Sequence, residues 1–600
     1  MYPALRDQTY LNEKDVLRLA SLLHNRFRNS TDLGHDIRQF YPLVEQITSD
    51  IRQRRVPPSP PGHVHLLGIY KHLQKYEEGS NFWIWLAAQD DTYVSQAVYG
   101  AAIELLAFQK KHSLEQLEEI YLQGLKRFPG GFAEYHLSPE AIVPDRSQYI
   151  TIPGLPITLL QAILTARILA GDWKGSYLAL DTALRLYPSQ TPARFFELFV
   201  YERHILEGYT CFLMACQAGK VLNIKVLNRI LAAFRSKMDS SNSLETRLTL
   251  LRGIVTAVYS HTGLSGKLRQ ETIGSLLTAF AKLVPPPRED KIDSDNTHQK
   301  TCIAISETVQ GSLEDLIKSG VPRTTSMTNG LISVAARLQR PDLLPPFPDW
   351  PYNSITRRCL LKAAGSFRDK KMIEHYWNEI VELEGDQLFY QHWVTLAVAT
   401  YRADHMAFFA EQKSKLAHTL TSDIEDRVGT ALARAESTEP VAVASEPTTG
   451  SFQFMPYDRL RKQLEGIRGQ IRQVANLISS GELLNFYKHP VDMFLDASRM
   501  SLGPIEDLRA IYDELTTDNS QRPVAVQHVG EATNVPQPAL SPTGIQLDRL
   551  RFLNWATITE LMNDAAIAEG DLPPYGPTQI PTRNEVRERV KHLRGLRTSL

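Results

Sequence analysis

The chain has 600 residues, 43% of them hydrophobic, and its 66 Lys and Arg against 67 Asp and Glu leave a formal charge of −1. That length exceeds one ordinary globular core, so it requires several domains or an extended array of repeats. Balanced charge excludes a uniformly basic nucleic-acid binder but leaves room for a local basic face.

The first thirty residues contain Asp7, Glu13 and Asp15, unlike an acid-poor mitochondrial presequence, and show no signal peptide. Either no leader is cleaved or the natural start lies upstream. Asn12 to Phe27 reads as a helix, and Thr31 to Arg54 as one or two more. The proline run from Val56 to Pro61 is a stiff break. Two helical hairpins follow. Val64 to Gln89 turns near Lys75-Tyr76; Val98 to Pro129 turns around Lys111-His112-Ser113, where Ser113 and Gln116 suit a capping box. Val64 and Val98 stand about 34 residues apart, a helical-hairpin repeat period. Gly130 to Ile157 interrupts that period, and its aromatics Phe132, Tyr135 and Tyr149 predict a packed excursion. Pro156 to Pro188 resumes the pattern. Gly171 stops one apolar-periodic helix, Asp172 caps the next, and Pro188 ends it.

Further hairpins read through Phe195 to Phe234 and Glu245 to Leu283. A proline- and acid-rich stretch from Val284 to Asn296 marks the main domain boundary. Beyond it, Ile303 to Lys318 and Ser326 to Leu338 are helical, Pro341 to Pro351 is a rigid break, and Ile355 to Leu383 and Phe389 to Leu420 restore the hairpins. Ala435 to Gly450 reads as a flexible linker, Met455 to Ser480 and Pro504 to Leu515 as helices, and Thr517 to Thr543 as disordered. Gln546 to Ile567 and Thr582 to Leu596 close the chain as helices. No run has the period of a strand. The fold class expected is all-α: an α-solenoid of stacked, degenerate helical hairpins with disordered linkers. The corresponding organisation is N-terminal helices at 1–62, a hairpin-repeat domain at 63–284, a linker at 285–298 and a second repeat region at 299–434. A flexible linker at 435–454, a helical region at 455–516, a disordered linker at 517–545 and C-terminal helices at 546–600 complete it.

Chemistry is sparse. Cys211, Cys216, Cys302 and Cys359 show no CxxC and no metal spacing, and read as reduced, mostly buried thiols of a non-secreted protein. There is no phosphate-binding glycine loop, no GxSxG and no HExxH, so neither a catalytic residue nor a cofactor is expected. His63 and His65 lack a third ligand at metal spacing and read as exposed residues just before a helix. No run reaches the ~18–20 apolar residues of a transmembrane helix. Two features suit recognition. Phe82, Trp83 and Trp85 cannot share one helix face, although core packing explains them better. Arg583, Arg587, Arg589, Lys591, Arg594 and Arg597 form a basic C-terminal helix, suited to RNA phosphates, an acidic subunit or lipid, or merely a solvated face.

The hairpins at Val64 to Gln89, Tyr99 to Pro129 and Leu160 to Leu186 resemble degenerate pentatricopeptide repeats. Tyr99, Ile103, Leu106, Leu114 and Ile120 stand where that motif places packing residues, and Leu160, Leu164 and Gly171 do so in the later unit. The segments FWIWLAAQDDTYVSQAVYGAAIELLA, LKRFPGGFAEYHLSPEAIVPDRS and LLQAILTARILAGDWKGSYLALDTALRLYP resemble fungal complex I intermediate-associated proteins more specifically. That resemblance implies a non-enzymatic mitochondrial chaperone, in the matrix or on the matrix face of the inner membrane. It would hold a membrane-arm intermediate of NADH:ubiquinone oxidoreductase together with other assembly factors.

The second reading is a mitochondrial pentatricopeptide-type RNA-binding protein controlling stability or translation of a transcript. Its base-reading positions would fall on Leu67, Ala101 and Ala162, apolar side chains with nothing to offer a base edge. Lys and Arg from successive hairpins converging on one concave face would favour RNA; an apolar or mixed groove would favour protein.

Overall fold

The computed structural model describes residues 2, 6, 11–30, 32–128, 157–186, 188, 191–285, 296–345, 349–385, 387–436, 452–484, 502–518, 544–576 and 581–595. Among these the fold is all-α, as expected: helical hairpins, with one isolated bridge between Ser243 and Gln453 and no strand. The chain divides into two compact units. One comprises residues 1–220 with 485–600, the other residues 221–484.

In the first unit, α1 (Glu13–Arg28), α3 (Pro60–His72), α5 (Gln96–Gln109), α7 (Ile157–Ala170) and α9 (Ala193–Glu202) stack on one another in turn. Their hairpin partners are α2 (Leu33–Arg52), α4 (Tyr76–Ala87), α6 (Leu114–Arg127), α8 (Trp173–Leu186) and α10 (Ile205–Gln217). A helix packed against a partner and two stacked neighbours is apolar almost all round. Thus α5 buries Val98, Tyr99, Ala102, Ile103, Leu105, Leu106 and Ala107, whereas α6 buries only one stripe, Leu117, Tyr121 and Leu125. The stacked helices approach to backbone contact: a Cβ on Gly100 would lie 2.7 Å from the Thr158 carbonyl oxygen. Local signals hold where they were legible. Ser113 and Gln116 form a reciprocal capping box. Gly171 has φ +78°, and Asp172 accepts from the Gly175 amide at 2.9 Å.

Three late helices, α22 (Ile505–Asp518), α23 (Gly544–Ala568) and α24 (Arg583–Arg594), complete this unit, with α23 seated on α8.

In the second unit the stack runs α11 (Ile224–Ser240), α13 (Gln270–Ala281), α15 (Thr325–Leu338), α16 (Ser354–Phe367), α18 (Tyr390–Arg402) and α20 (Ser422–Glu436). The partners are α12 (Leu244–Ser265), α14 (Thr297–Lys318), α17 (Lys370–Glu384) and α19 (Met406–Lys415). After α15 the proline-rich segment forms only a 3-10 turn, Pro341–Leu343. A last helix, α21 (Tyr457–Ser480), buries Leu460, Leu464, Ile467, Ile471 and Val474 against α12 and α14. Arg459 pairs with Glu245, and Arg468 and Arg472 pair with Asp315.

Two sequence expectations shift. Residues 195–234 hold three helices, because the chain breaks at Arg203-His204, where Arg203 is extended (φ −106°, ψ 172°). The hairpins therefore pair α9 with α10, α11 with α12 and α13 with α14, rather than Phe195–Phe234 and Glu245–Leu283. The compact units divide at residues 220/221 and 484/485, and α13 and α15 pack together across the stretch read as the 285–298 linker. Of the remaining expectations, the Gly130 excursion up to residue 156 and residues 286–295, 437–451 and 519–543 of the linkers lie outside the described residues.

Candidate nucleic-acid interface

One cleft of about 760 Å³ opens along the stacked helices of the second unit. Each helix contributes from the same end. Lys282 follows α13, Arg337 lies on α15, Lys362 and Arg368 lie on or just after α16, and Arg402 ends α18. Asp239, at the end of α11, is the one acid among the lining residues. It pairs with Lys282, whose ammonium also donates to the Arg235 carbonyl at 3.4 Å. Arg337 Nε donates to the Val284 carbonyl oxygen at 3.1 Å, and Gln339 Nε2 to that of Ser366 at 2.8 Å. Lys362 and Arg402 are exposed and have no carboxylate partner among the described residues. The rest of the lining is apolar or hydroxylic, including Ala281, Ile332, Cys359, Thr278, Ser333 and Ser366, and contains no aromatic ring.

The wall is electrostatically crowded. Burial holds the Arg337 guanidinium below the ordinary arginine range, with Asp239 opposing the shift. Burial, with Arg337 adding to it, pushes Arg247 down to about 10, although its guanidinium donates to the Lys282 carbonyl at 2.7 Å and lies 4.9 Å over Phe452. Burial lowers Arg235 as well. Cations in this arrangement repel one another and gain from an anion laid across them. One or two cations per stacked helix suit a file of phosphates, and without a stacking ring the cleft has no means of gripping a base by its face.

In the first unit, several described cations of the stacked helices are paired internally. On its stacked helices Lys71 pairs with Glu104, and Gln161 Nε2 donates to Glu104 Oε1 at 2.8 Å. Burial alone would raise the Glu104 carboxyl, but Lys71 and Gln161 more than offset it and the pKa falls. The Nδ1 atoms of His24 and His65 meet at 3.2 Å. These groups satisfy one another.

The residues singled out in the sequence prove mostly structural. Leu67 and Ala162 are fully buried and Ala101 half-buried, so two of the three base-reading positions are core. Phe82 and Trp83 are buried, and Trp85 stacks on Phe82 at 6.3 Å, which is the core-packing alternative. His63 is not an exposed residue preceding a helix but a buried one inside α3, its Nδ1 2.8 Å from the Tyr93 carbonyl oxygen. No group of three or more His, Cys, Asp or Glu suited to a metal occurs among the described residues. Cys211, Cys216 and Cys302 are buried free thiols and Cys359 is half-buried. Among the described residues no helix is long and apolar enough to cross a membrane. The basic C-terminal helix is spent on the protein itself. Arg583 and Arg587 pair with Glu514, Arg589 donates to the Pro573 carbonyl, and Arg594 is buried against Asp181. Arg597 lies outside the described residues.

Residues 1–99 match the RMD9 N-terminal domain. Among solved structures, yeast Rmd9p in complex with a 16-nucleotide target RNA covers 78% of this chain and 89% of its own, at 17% identity and a TM-score of 0.40. The pentatricopeptide repeat protein PPR10 in complex with an 18-nucleotide psaJ RNA element covers 97% and 88%, at 12% identity and a TM-score of 0.29. No curated protein sequence matches the chain.

The RMD9 match corrects the complex I reading. The first of the three segments that carried that resemblance begins at Phe82, inside the stretch matched by the RMD9 N-terminal domain, which ends at residue 99. The cleft itself is mixed, with five cations and one acid among apolar residues such as Ala281, Ile332 and Ala363, so the correction rests on the family match. A complex I intermediate, its assembly factors and a peripheral place on the inner membrane are therefore withdrawn as partners.

Proposed function

We propose that the chain is a non-catalytic, pentatricopeptide-type protein that binds single-stranded RNA, acting on a mitochondrial transcript. The observation that carries this reading is the convergence of Lys282, Arg337, Lys362, Arg368 and Arg402 from successive stacked helices onto one cleft with a single acid. Cations in file follow one phosphate backbone, and that electrostatic grip needs no base-reading side chain. The RMD9 N-terminal match supports it, since the yeast Rmd9p structure is a complex with a target RNA. The mitochondrial placement comes from the pentatricopeptide resemblance, and organelle fractionation tests it.

The binding test is fluorescence anisotropy of the full chain with a labelled single-stranded RNA of about 20 nucleotides, titrated across salt. Affinity should fall as salt rises. Replacing Lys362 and Arg402 together by Glu should weaken binding about tenfold or more and flatten the log–log salt slope by roughly 1.4, at ~0.7 for each phosphate no longer neutralised. Glu at Arg461 and Lys462, on α21, is the control and should change little. An unaltered affinity and salt slope in the Lys362/Arg402 variant would remove the cleft as the binding site.

A further inference from the structure

Three hydroxyls line the basic cleft, one from each of three successive stacked helices: Thr278 on α13, Ser333 on α15 and Ser366 on α16. Each gives its proton to its own helix. Thr278 Oγ1 donates to the Gly274 carbonyl at 2.8 Å, Ser333 Oγ to that of Asn329 at 2.9 Å, and Ser366 Oγ to that of Lys362 at 3.3 Å. A hydroxyl has one proton and two lone pairs, so each oxygen can only accept from anything in the cleft. Phosphates offer no donor and are drawn to the cations instead. Thr278 and Ser333 lie one helical turn, about 6 Å, before Lys282 and Arg337, so a phosphate on either cation brings its sugar to the hydroxyl. Of the donors an RNA strand carries, the ribose 2′-hydroxyl lies closest to the phosphate, so it is the one brought to that level when a cation holds the backbone.

Building on the RNA-binding reading, we infer that Thr278 and Ser333 accept hydrogen bonds from ribose 2′-hydroxyls and make this cleft select RNA over DNA without reading sequence. Deoxyribose supplies no donor there, and a 2′-O-methyl group has lost the proton while keeping the oxygen.

The test measures anisotropy of the full-length chain, wild type and the Thr278→Val/Ser333→Ala double variant, with one sequence as RNA, DNA and 2′-O-methyl RNA. Valine keeps the threonine shape, and Ser333 is exposed, so both substitutions leave the packing intact. Wild type should prefer RNA to both analogues, each hydrogen bond contributing about twofold to tenfold. The double variant should lose that preference while binding DNA as tightly as wild type does. Equal wild-type affinity for the three polymers, or a variant that weakens all three by the same factor, overturns the inference and leaves the RNA-binding reading standing. Failure of all three polymers to bind overturns the RNA-binding reading, and this inference with it.

Discussion

Replacing Arg594 by Met should loosen the C-terminal helices from α8. Arg594 is 1% exposed and Asp181 3%. The guanidinium binds the Asp181 carboxylate, donates to Thr559 Oγ1 at 2.8 Å and lies 5.0 Å over Trp555. Methionine fills much of the volume but leaves the carboxylate buried with one partner fewer. Breaking a buried pair from one side costs about 3–5 kcal/mol. Arg185 Nε remains 3.7 Å from Asp181, so the lower end, about 3 kcal/mol, applies. At about 1.4 kcal/mol per tenfold, local opening should become roughly a hundred times more frequent. Hydrogen exchange of the full chain, followed on peptides from α8, α22, α23 and α24, reads that opening directly. Arg594→Lys keeps the charge but loses the fork that reaches Thr559, and should fall between wild type and Met. Acceleration below about threefold in these helices, or equal acceleration in α16 and α18, would refute the reasoning.

Two further outcomes follow from the packing. Gly100→Ala and Gly365→Ala should each destabilise their unit by about 1–2 kcal/mol, because the added methyl meets backbone, the Thr158 carbonyl at 2.7 Å and the Ala399 Cα at 2.5 Å. Urea unfolding would show it, and unchanged midpoints would mean that the helices part freely. Burial holds His63 down at about 4, and its Tyr93 and Ser59 contacts fit a neutral ring protonated on Nδ1. The unfolded chain then takes up a proton first, near pH 6.5, so stability present above that pH is lost as pH falls toward 4. The loss is up to about 3 kcal/mol. Melting temperatures of wild type and His63→Gln between pH 7 and 4 check this; parallel acid slopes would count against it.

The local chemistry of the hairpins was legible because capping is a short-range matter: Ser113 with Gln116, Gly171 and Asp172 act within one turn. The break at Arg203-His204 was not. It has neither Gly nor Pro, and Arg203 pairs with Glu207 four residues on, the spacing of an uninterrupted helix. The cleft was hidden for another reason. Its cations sit at positions 282, 337, 362, 368 and 402 and meet only when α13, α15, α16 and α18 stack, while a net charge of −1 averages them away. The C-terminal basic helix misled in the opposite sense, since a run of Arg declares its charge but not the acids waiting for it on α22 and α8.

Asp181 and Arg594 are 413 positions apart in the chain. At ~5–20 residues per second, synthesis needs about 20–80 s to travel from one to the other. Until α23 is made, the side of α8 that will receive it is bare on the ribosome, while every helix of the second unit is made and can settle. The first unit to emerge is thus the last to be finished. A transcript cut short between α21 and α23 yields a product whose second unit is whole and whose first is left with an open, apolar flank, a natural target for chaperones and proteases.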